Sequence, residues 1–268
     1  MRAAISAGRV LAAVALVLVL AAPVAVLSQD DDTDGYLDGA AIDIISILPR
    51  PPVPGSAEAA HDREVFRATR RLVGTARYRM ATADVEGEPE DMLRDFSCAA
   101  GMRLTPRNAP RTLVLMSRAE EDVLRMVDIA KYFYKRRRPY VYDKGQICQP
   151  RRELSDSYDY PSGHAAAGWT WAFILADLLP DRAAAIRARG RAYGESRIVC
   201  GAHNASAVEA SRIAASAILA VARATRSYQS DFAAARGELN ILRKTAARPD
   251  AATCQAEAAL VAKDIFAK

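Results

Sequence analysis

Three short stretches carry residue types able to bind an anion and move protons around it. Lys131 and the pair Arg138–Pro139, with six residues between, stand in KYFYKRRRP. Ser162, Gly163 and His164 follow Pro161 in YPSGHAAAGW, and Ser196–Arg197 precede His203 in SRIVCGAH. Proline is favoured at a helix start, where the first-turn N–H groups have no helical partner. Those open donors and the helix dipole attract negative charge. Lys131, Arg138 and Arg197 add three cations, and a planar guanidinium meets two oxygens of a tetrahedral anion at once. Histidine titrates near physiological pH, so His164 and His203 suit proton transfer or nucleophilic attack. Each piece taken singly also has a plain reading. PSGH is an ordinary helix start, and a lone cation is a solvated surface charge. Arg136 and Arg137 read as surface residues, and Ser196 either packs beside Arg197 or meets the anion. His61 reads as a surface histidine near a helix start.

The flanking patterns place these residues on helices. In SRAEEDVLRMVDIAKYFYKRRRP, Ser117 and Glu120 form a capping-box pattern. Val123, Val127, Ala130 and Tyr134 repeat at helical spacing, and Pro139 stops the run. Lys131 therefore lies on the last turns, and Arg138, before proline, is pushed to an extended conformation. Residues 143–159 are polar and irregular, and a helix begins after Pro161. DRAAAIRARGRAYGES reads as a helix ending near Gly194, and ASAVEASRIAASAILAVARAT as another. SDFAAARGELNILRKTAA reads as the last, capped by Ser230. No strand-like alternation and no internal repeat occurs, and the apolar content is rich in alanine, the best helix former. The expected fold class is all-α, a helical bundle.

The N-terminal segment reads as a leader rather than as fold. Arg2 and Arg9 precede an apolar run ending in small residues near Ser28, the pattern of a signal peptide over residues 1–28. An uncleaved anchor is the alternative, and Pro23 with the acidic QDDDTDG that follows favours cleavage. Residues 29–56 read as an arm, acidic and disordered first and then proline-rich in ILPRPPVPGS, ahead of a helical domain over 57–268. No later stretch reads as a membrane span, since WTWAFILADLLP is short and holds Asp177. Four cysteines in an exported chain suggest two disulfides with three possible connectivities. Cys148–Cys200 with Cys98–Cys254 is preferred because the first pair flanks the motifs. The net charge of +5 is too small to imply nucleic acid, and the KRRR cluster reads as a solvated face or an anion site.

The three motifs resemble the signature K-x6-R-P, P-S-G-H, S-R-x5-H-x3-D of the type 2 phosphatidic acid phosphatase superfamily, which includes vanadium haloperoxidases. The chain is most similar to the class A bacterial nonspecific acid phosphatases, through YLDG, ILPRPP, FSCAAG, RRRP, YDYPSGHAAAGW and GESRIVCGAH. The resemblance implies the helical fold of that family and a periplasmic or secreted acid phosphatase acting on small phosphomonoesters. His203 would attack phosphorus to form a phosphohistidine, and His164 would protonate the departing alkoxide and then activate water. Lys131, Arg138, Arg197, Ser162 and Gly163 would hold the phosphate, with Ser196 as a further candidate. No metal or cofactor is called for, because the cations neutralise the phosphate. Partners are the small-molecule substrate and, by resemblance, further copies of the chain; nucleic acid and membrane are not expected. Rival readings are a vanadium haloperoxidase-like activity, which should need a longer chain, and a phosphotransferase. A lipid phosphatase should bring several spans.

The chain departs from the signature at one place. Four residues after His203, where the signature has an aspartate, stands Ala207. That carboxylate would fix the tautomer of the nucleophilic histidine, as the third member of a triad does. Three explanations follow. Another acceptor substitutes: Ser206 or a backbone carbonyl is easier than Glu209, which lies about 120° round a helix from His203. The orienter is absent and turnover is slow. Or the protein binds phosphate esters without hydrolysing them, in which case two histidines would have no task.

Overall fold

The computed structural model describes residues 35–38 and 41–266. The expected leader at 1–28 and nearly all of the acidic stretch after it lie outside the described residues. Ten α-helices and no strand occur among the described residues. They are α1 (Ile44–Ile47), α2 (Ala57–Thr69), α3 (Ala76–Ala83), α4 (Pro89–Ala100), α5 (Pro110–Tyr134), α6 (Gly163–Leu178), α7 (Ala183–Cys200), α8 (Ala205–Ala222), α9 (Arg226–Thr245) and α10 (Ala251–Val261).

The centre of the bundle is α6, buried on nearly all sides and packed along α5, α7 and α8. Its sequence GHAAAGWTWAFILADL has no charged residue before Asp177, and a helix apolar all round belongs in a core. Two glycines let α7 lie close against it. A Cβ on Gly168 would stand 2.5 Å from Tyr193 Cδ1, and one on Gly190 would stand 2.3 Å from Ala172 Cβ. This antiparallel contact carries the Arg197 end of α7 to the His164 end of α6. Both disulfides form as expected. Cys98–Cys254 pins α10 to α4, and Cys148–Cys200 ties the irregular segment to the end of α7. The proline-rich arm lies on the domain, where the Tyr160 hydroxyl donates to Pro49 O at 2.6 Å.

Several local expectations are corrected. The helix carrying Lys131 starts at Pro110, not at Ser117. Its first N–H groups at Arg111 and Thr112 donate to the Glu238 carboxylate at 2.9 and 2.8 Å, a partner far off in sequence. Glu120 does not cap; it accepts the Trp171 indole N–H at 2.6 Å. The helix of GESRIVC runs past Gly194 to Cys200 and stops at Gly201, whose φ of 80° suits glycine. The helix assigned to Ser230 begins one turn earlier, where the Thr225 hydroxyl accepts Tyr228 N–H at 3.2 Å. It is not the last, since α10 follows. Finally, α8 is apolar and long enough to cross a membrane by composition. It packs on α6 and α5, and Ala207, Ala210, Ala214 and Ala215 along it are buried.

Candidate active site

The site begins at the first turn of α6. Ser162 caps the helix, its hydroxyl accepting Ala165 N–H at 3.4 Å while remaining able to donate its own proton. Its backbone N–H is held by Ser211 Oγ at 2.9 Å. The next two N–H groups, of Gly163 and His164, have no intrahelical acceptor and form the expected donor nest. Lys131 overhangs this turn: a Cβ on Gly163 would lie 3.4 Å from its ammonium. Burial holds the Lys131 ammonium below the usual lysine range, and its one acid partner is the exposed Asp128, at 3.2 Å.

Arg197 reaches the same place from α7. Its side chain is fully buried, Nη2 donates to Gln149 Oε1 at 2.5 Å, and Nε and Nη1 have no acceptor among the described residues. Burial pulls this guanidinium down to about 10. A buried cation with two orphaned donors and no carboxylate partner is costly unless an anion supplies the missing interactions. Arg138, extended before Pro139 as expected, is fixed by Ser157 O and Ala202 O, each at 3.0 Å.

His164 lies at the second position of α6 with Nε2 3.0 Å from Val85 O. A carbonyl only accepts, so Nε2 carries hydrogen and Nδ1 is the nitrogen free to exchange a proton. The segment bearing Val85 is anchored by Asp84, which accepts from Arg189 at 2.6 Å and from the Ser196 hydroxyl at 2.5 Å. Ser196 is therefore turned into a buried network with Asp84 and Arg77. Arg197 first, and then burial, hold the His164 imidazole well below the ordinary histidine range.

His203 is buried just after α7. Its Nδ1 faces two oxygens of one residue, Asp159 O at 2.7 Å and Asp159 Oδ1 at 3.2 Å. Nδ1 must donate to these acceptors, which leaves the lone pair on Nε2. Arg138 Nη1 donates to that lone pair at 2.7 Å. Burial, with Arg138, Arg197 and Lys131 after it, holds the imidazole well below its usual range. The fold thus gathers His164, His203, Lys131, Arg138, Arg197, Ser162 and Gly163, drawn from α5, α6, α7 and the segments after α5 and α7.

Asp159, which faces His203 Nδ1, was not singled out by sequence reasoning. It stands in the YDYPSGH stretch, inside a segment read only as polar and irregular. An unpaired acid two residues before the motif proline, in a chain lacking the downstream acid, was the available signal. Of the substitutes expected for the missing aspartate, the backbone carbonyl is present, as Asp159 O. Glu209 instead pairs with Arg212 on the exposed side of α8, and Ser206 Oγ donates to Asp62 at 2.5 Å. Arg136 is not the surface residue expected. Its guanidinium is 14% exposed and bonds Asp62 at 2.7 Å and Ser206 Oγ at 2.6 Å, with Asp159 Oδ2 at 3.4 Å. Arg137 and His61 are exposed. Among the described residues no group of His, Cys, Asp and Glu is arranged to hold a metal ion.

Two histidines stand beside the buried Arg138 and Arg197 and the part-buried Lys131 at a helix N-terminus, on an all-α frame, an arrangement suited to a tetrahedral oxyanion. The PAP2 superfamily model matches residues 114–231, the span that holds all of these residues. Over 217 residues the chain is 40% identical to an acid phosphatase of Zymomonas mobilis, covering 80% of this chain and 82% of that protein. It is 32% identical to a non-specific acid phosphatase of Salmonella typhimurium, over 71% of this chain and 78% of that one. With a non-specific acid phosphatase of Providencia stuartii the identity is 33%, over 76% and 84%. The chain belongs to the class A bacterial non-specific acid phosphatases of the PAP2 superfamily.

Proposed function

We propose that this protein is an exported acid phosphatase that hydrolyses small phosphomonoesters through a phosphohistidine on His203. The observation that carries this reading is the His203 environment: Nδ1 against two acceptor oxygens, and an Nε2 lone pair facing the buried cations. The phosphate dianion takes the donors of the nest and the orphaned Arg197 N–H groups, with Lys131 beside them. Arg138 Nη1 transfers its hydrogen bond from His203 Nε2 to a phosphate oxygen, and the freed Nε2 lone pair forms the P–N bond while the P–O bond to the leaving group breaks. The proton on His164 Nδ1 passes to the departing oxygen. In the second half water attacks phosphorus, His164 Nδ1 takes its proton, and the P–N bond breaks with its electrons returning to Nε2. Preorganised donors and cations that meet charge as it shifts in the transition state supply much of the rate. Export rests on the apolar leader pattern and on two disulfides, which persist in oxidising compartments.

Steady hydrolysis of p-nitrophenyl phosphate at acidic pH, unchanged by EDTA, is the expected result. Stoichiometric phosphate binding with no turnover would overturn this reading.

The pH profile provides a second test. In the free protein Arg197 and burial depress the His164 pKa, so its acid form is lost as pH rises through a value below the usual 6.5. A bound dianion offsets the Arg197 charge and raises that pKa. The alkaline limb of kcat/KM, which reports the free enzyme, should therefore fall at lower pH than the limb of kcat. Coincident limbs would mean that His164 is not the acid.

A further inference from the structure

We propose that Asp159 is the positioning residue of His203, supplying from before the PSGH turn the acceptor that Ala207 cannot supply from after the nucleophile. The proposal rests on the phosphohistidine reading above. Asp159 is fully buried, and every oxygen it presents is placed. The main-chain carbonyl accepts His203 Nδ1 at 2.7 Å, with carboxylate Oδ1 at 3.2 Å. Oδ1 also accepts Asn204 N–H at 3.0 Å, and Oδ2 accepts Asn204 Nδ2 at 2.8 Å and faces Arg136 at 3.4 Å. Asn204 follows His203 directly and caps α8. One residue therefore grips both the ring of the nucleophile and the backbone beside it. When Nε2 bonds phosphorus the ring becomes a cation in a dry, already cationic setting. Oδ1 is the carboxylate oxygen nearest to that developing charge. Arg136 is held independently by Asp62, so the network behind Asp159 persists without its charge. Asp159 to His164 is then a single short run that aligns the nucleophile, forms the donor nest and carries the proton donor.

The test is Asp159→Asn, which keeps size, the main-chain carbonyl and one acceptor oxygen for Asn204, and removes the charge while turning the other oxygen into an NH2 donor. Expected is a fall in kcat of about 10- to 100-fold, the scale of lost outer partners of a working histidine. Phosphoenzyme formation should slow in a single turnover, while KM, inorganic phosphate affinity and melting temperature stay near wild type. A kcat within twofold of wild type, with His203→Ala inactive, overturns the proposal and spares the mechanism. Activity surviving in His203→Ala overturns the mechanism instead. A melting temperature and phosphate affinity that fall in step with activity would make Asp159 a structural cap only and overturn the proposal. Two measurements do not depend on that variant folding. Histidine ¹⁵N spectra of the unaltered protein should show His203 as the Nδ1–H tautomer, and an Nε2–H tautomer overturns the proposal. Ala207→Asp should bring no gain in kcat, because the acceptor place is filled; a tenfold gain overturns it.

Discussion

Replacing His203 with alanine is expected to abolish hydrolysis while leaving the phosphate site able to bind. The loss in kcat/KM should be on the order of 10⁵ or more, about 7 kcal/mol of transition-state stabilisation, since the reaction loses its nucleophile outright. Binding should survive because the donors of Gly163 and His164, the Lys131 ammonium and the unpartnered Arg197 N–H groups do not depend on the imidazole. Arg138 Nη1 loses an acceptor when the ring is removed, so that donor becomes free to meet the anion. Inorganic phosphate should therefore bind His203→Ala at least as tightly as wild type. Rapid quench with labelled substrate would show no acid-labile phosphoenzyme. Hydrolysis above background in that variant sinks the phosphohistidine mechanism.

Arg197→Met should give the opposite pairing, a dead enzyme that is no less stable. The guanidinium is fully buried, and two of its nitrogens have no acceptor among the described residues. Removing an uncompensated buried charge and replacing it with an apolar side chain of similar length is commonly neutral or stabilising. The melting temperature without ligand should stay level or rise. kcat/KM should fall on the order of 10³-fold or more, as expected when a main donor to the transition state is removed. Wild type should gain stability with phosphate by mass action, about 2.7 kcal/mol at 100 times Kd, and the variant should gain almost nothing. A marked fall in the unliganded melting temperature would mean that Arg197 is a structural residue. Retained activity would mean that another cation holds the phosphate.

Arg138 and Ser196 mark how much of the site was legible beforehand. Arg138 was placed correctly as an extended residue beyond a helix, because proline constrains its predecessor locally and no tertiary contact is needed. Ser196 was left open between phosphate contact and packing, because the choice depends on Asp84 and Arg77, which are more than a hundred residues away. Arg136 was misjudged for the same reason: a cation in a basic run looks solvated until Asp62, Ser206 and Asp159 close around it. The helix ends follow a similar division. Gly201 acts through its own backbone, whereas α5 does not run to the expected stop at Pro139: it ends at Tyr134, with Lys135 left-handed at φ 47°. The start of α5 at Pro110 depends on Glu238 from another helix, and its extension past the Ser117 pattern could not be read locally.

By itself the sequence determined the all-α class and the three motif segments with their candidate residues, and it favoured one of the three possible disulfide pairings. These follow from local spacing, proline and glycine chemistry, and motif likeness, none of which needs coordinates. The tertiary structure alone decided which nitrogen of each histidine is free, how Arg197 comes to be buried without a counter-ion, and what faces His203 in place of a residue at position 207. The physical reason is that a hydrogen-bond acceptor is defined by position and not by spacing. A chain that turns back on itself before Pro161 brings Asp159 to the ring of His203, 44 residues on, as closely as a neighbour on the same helix would stand.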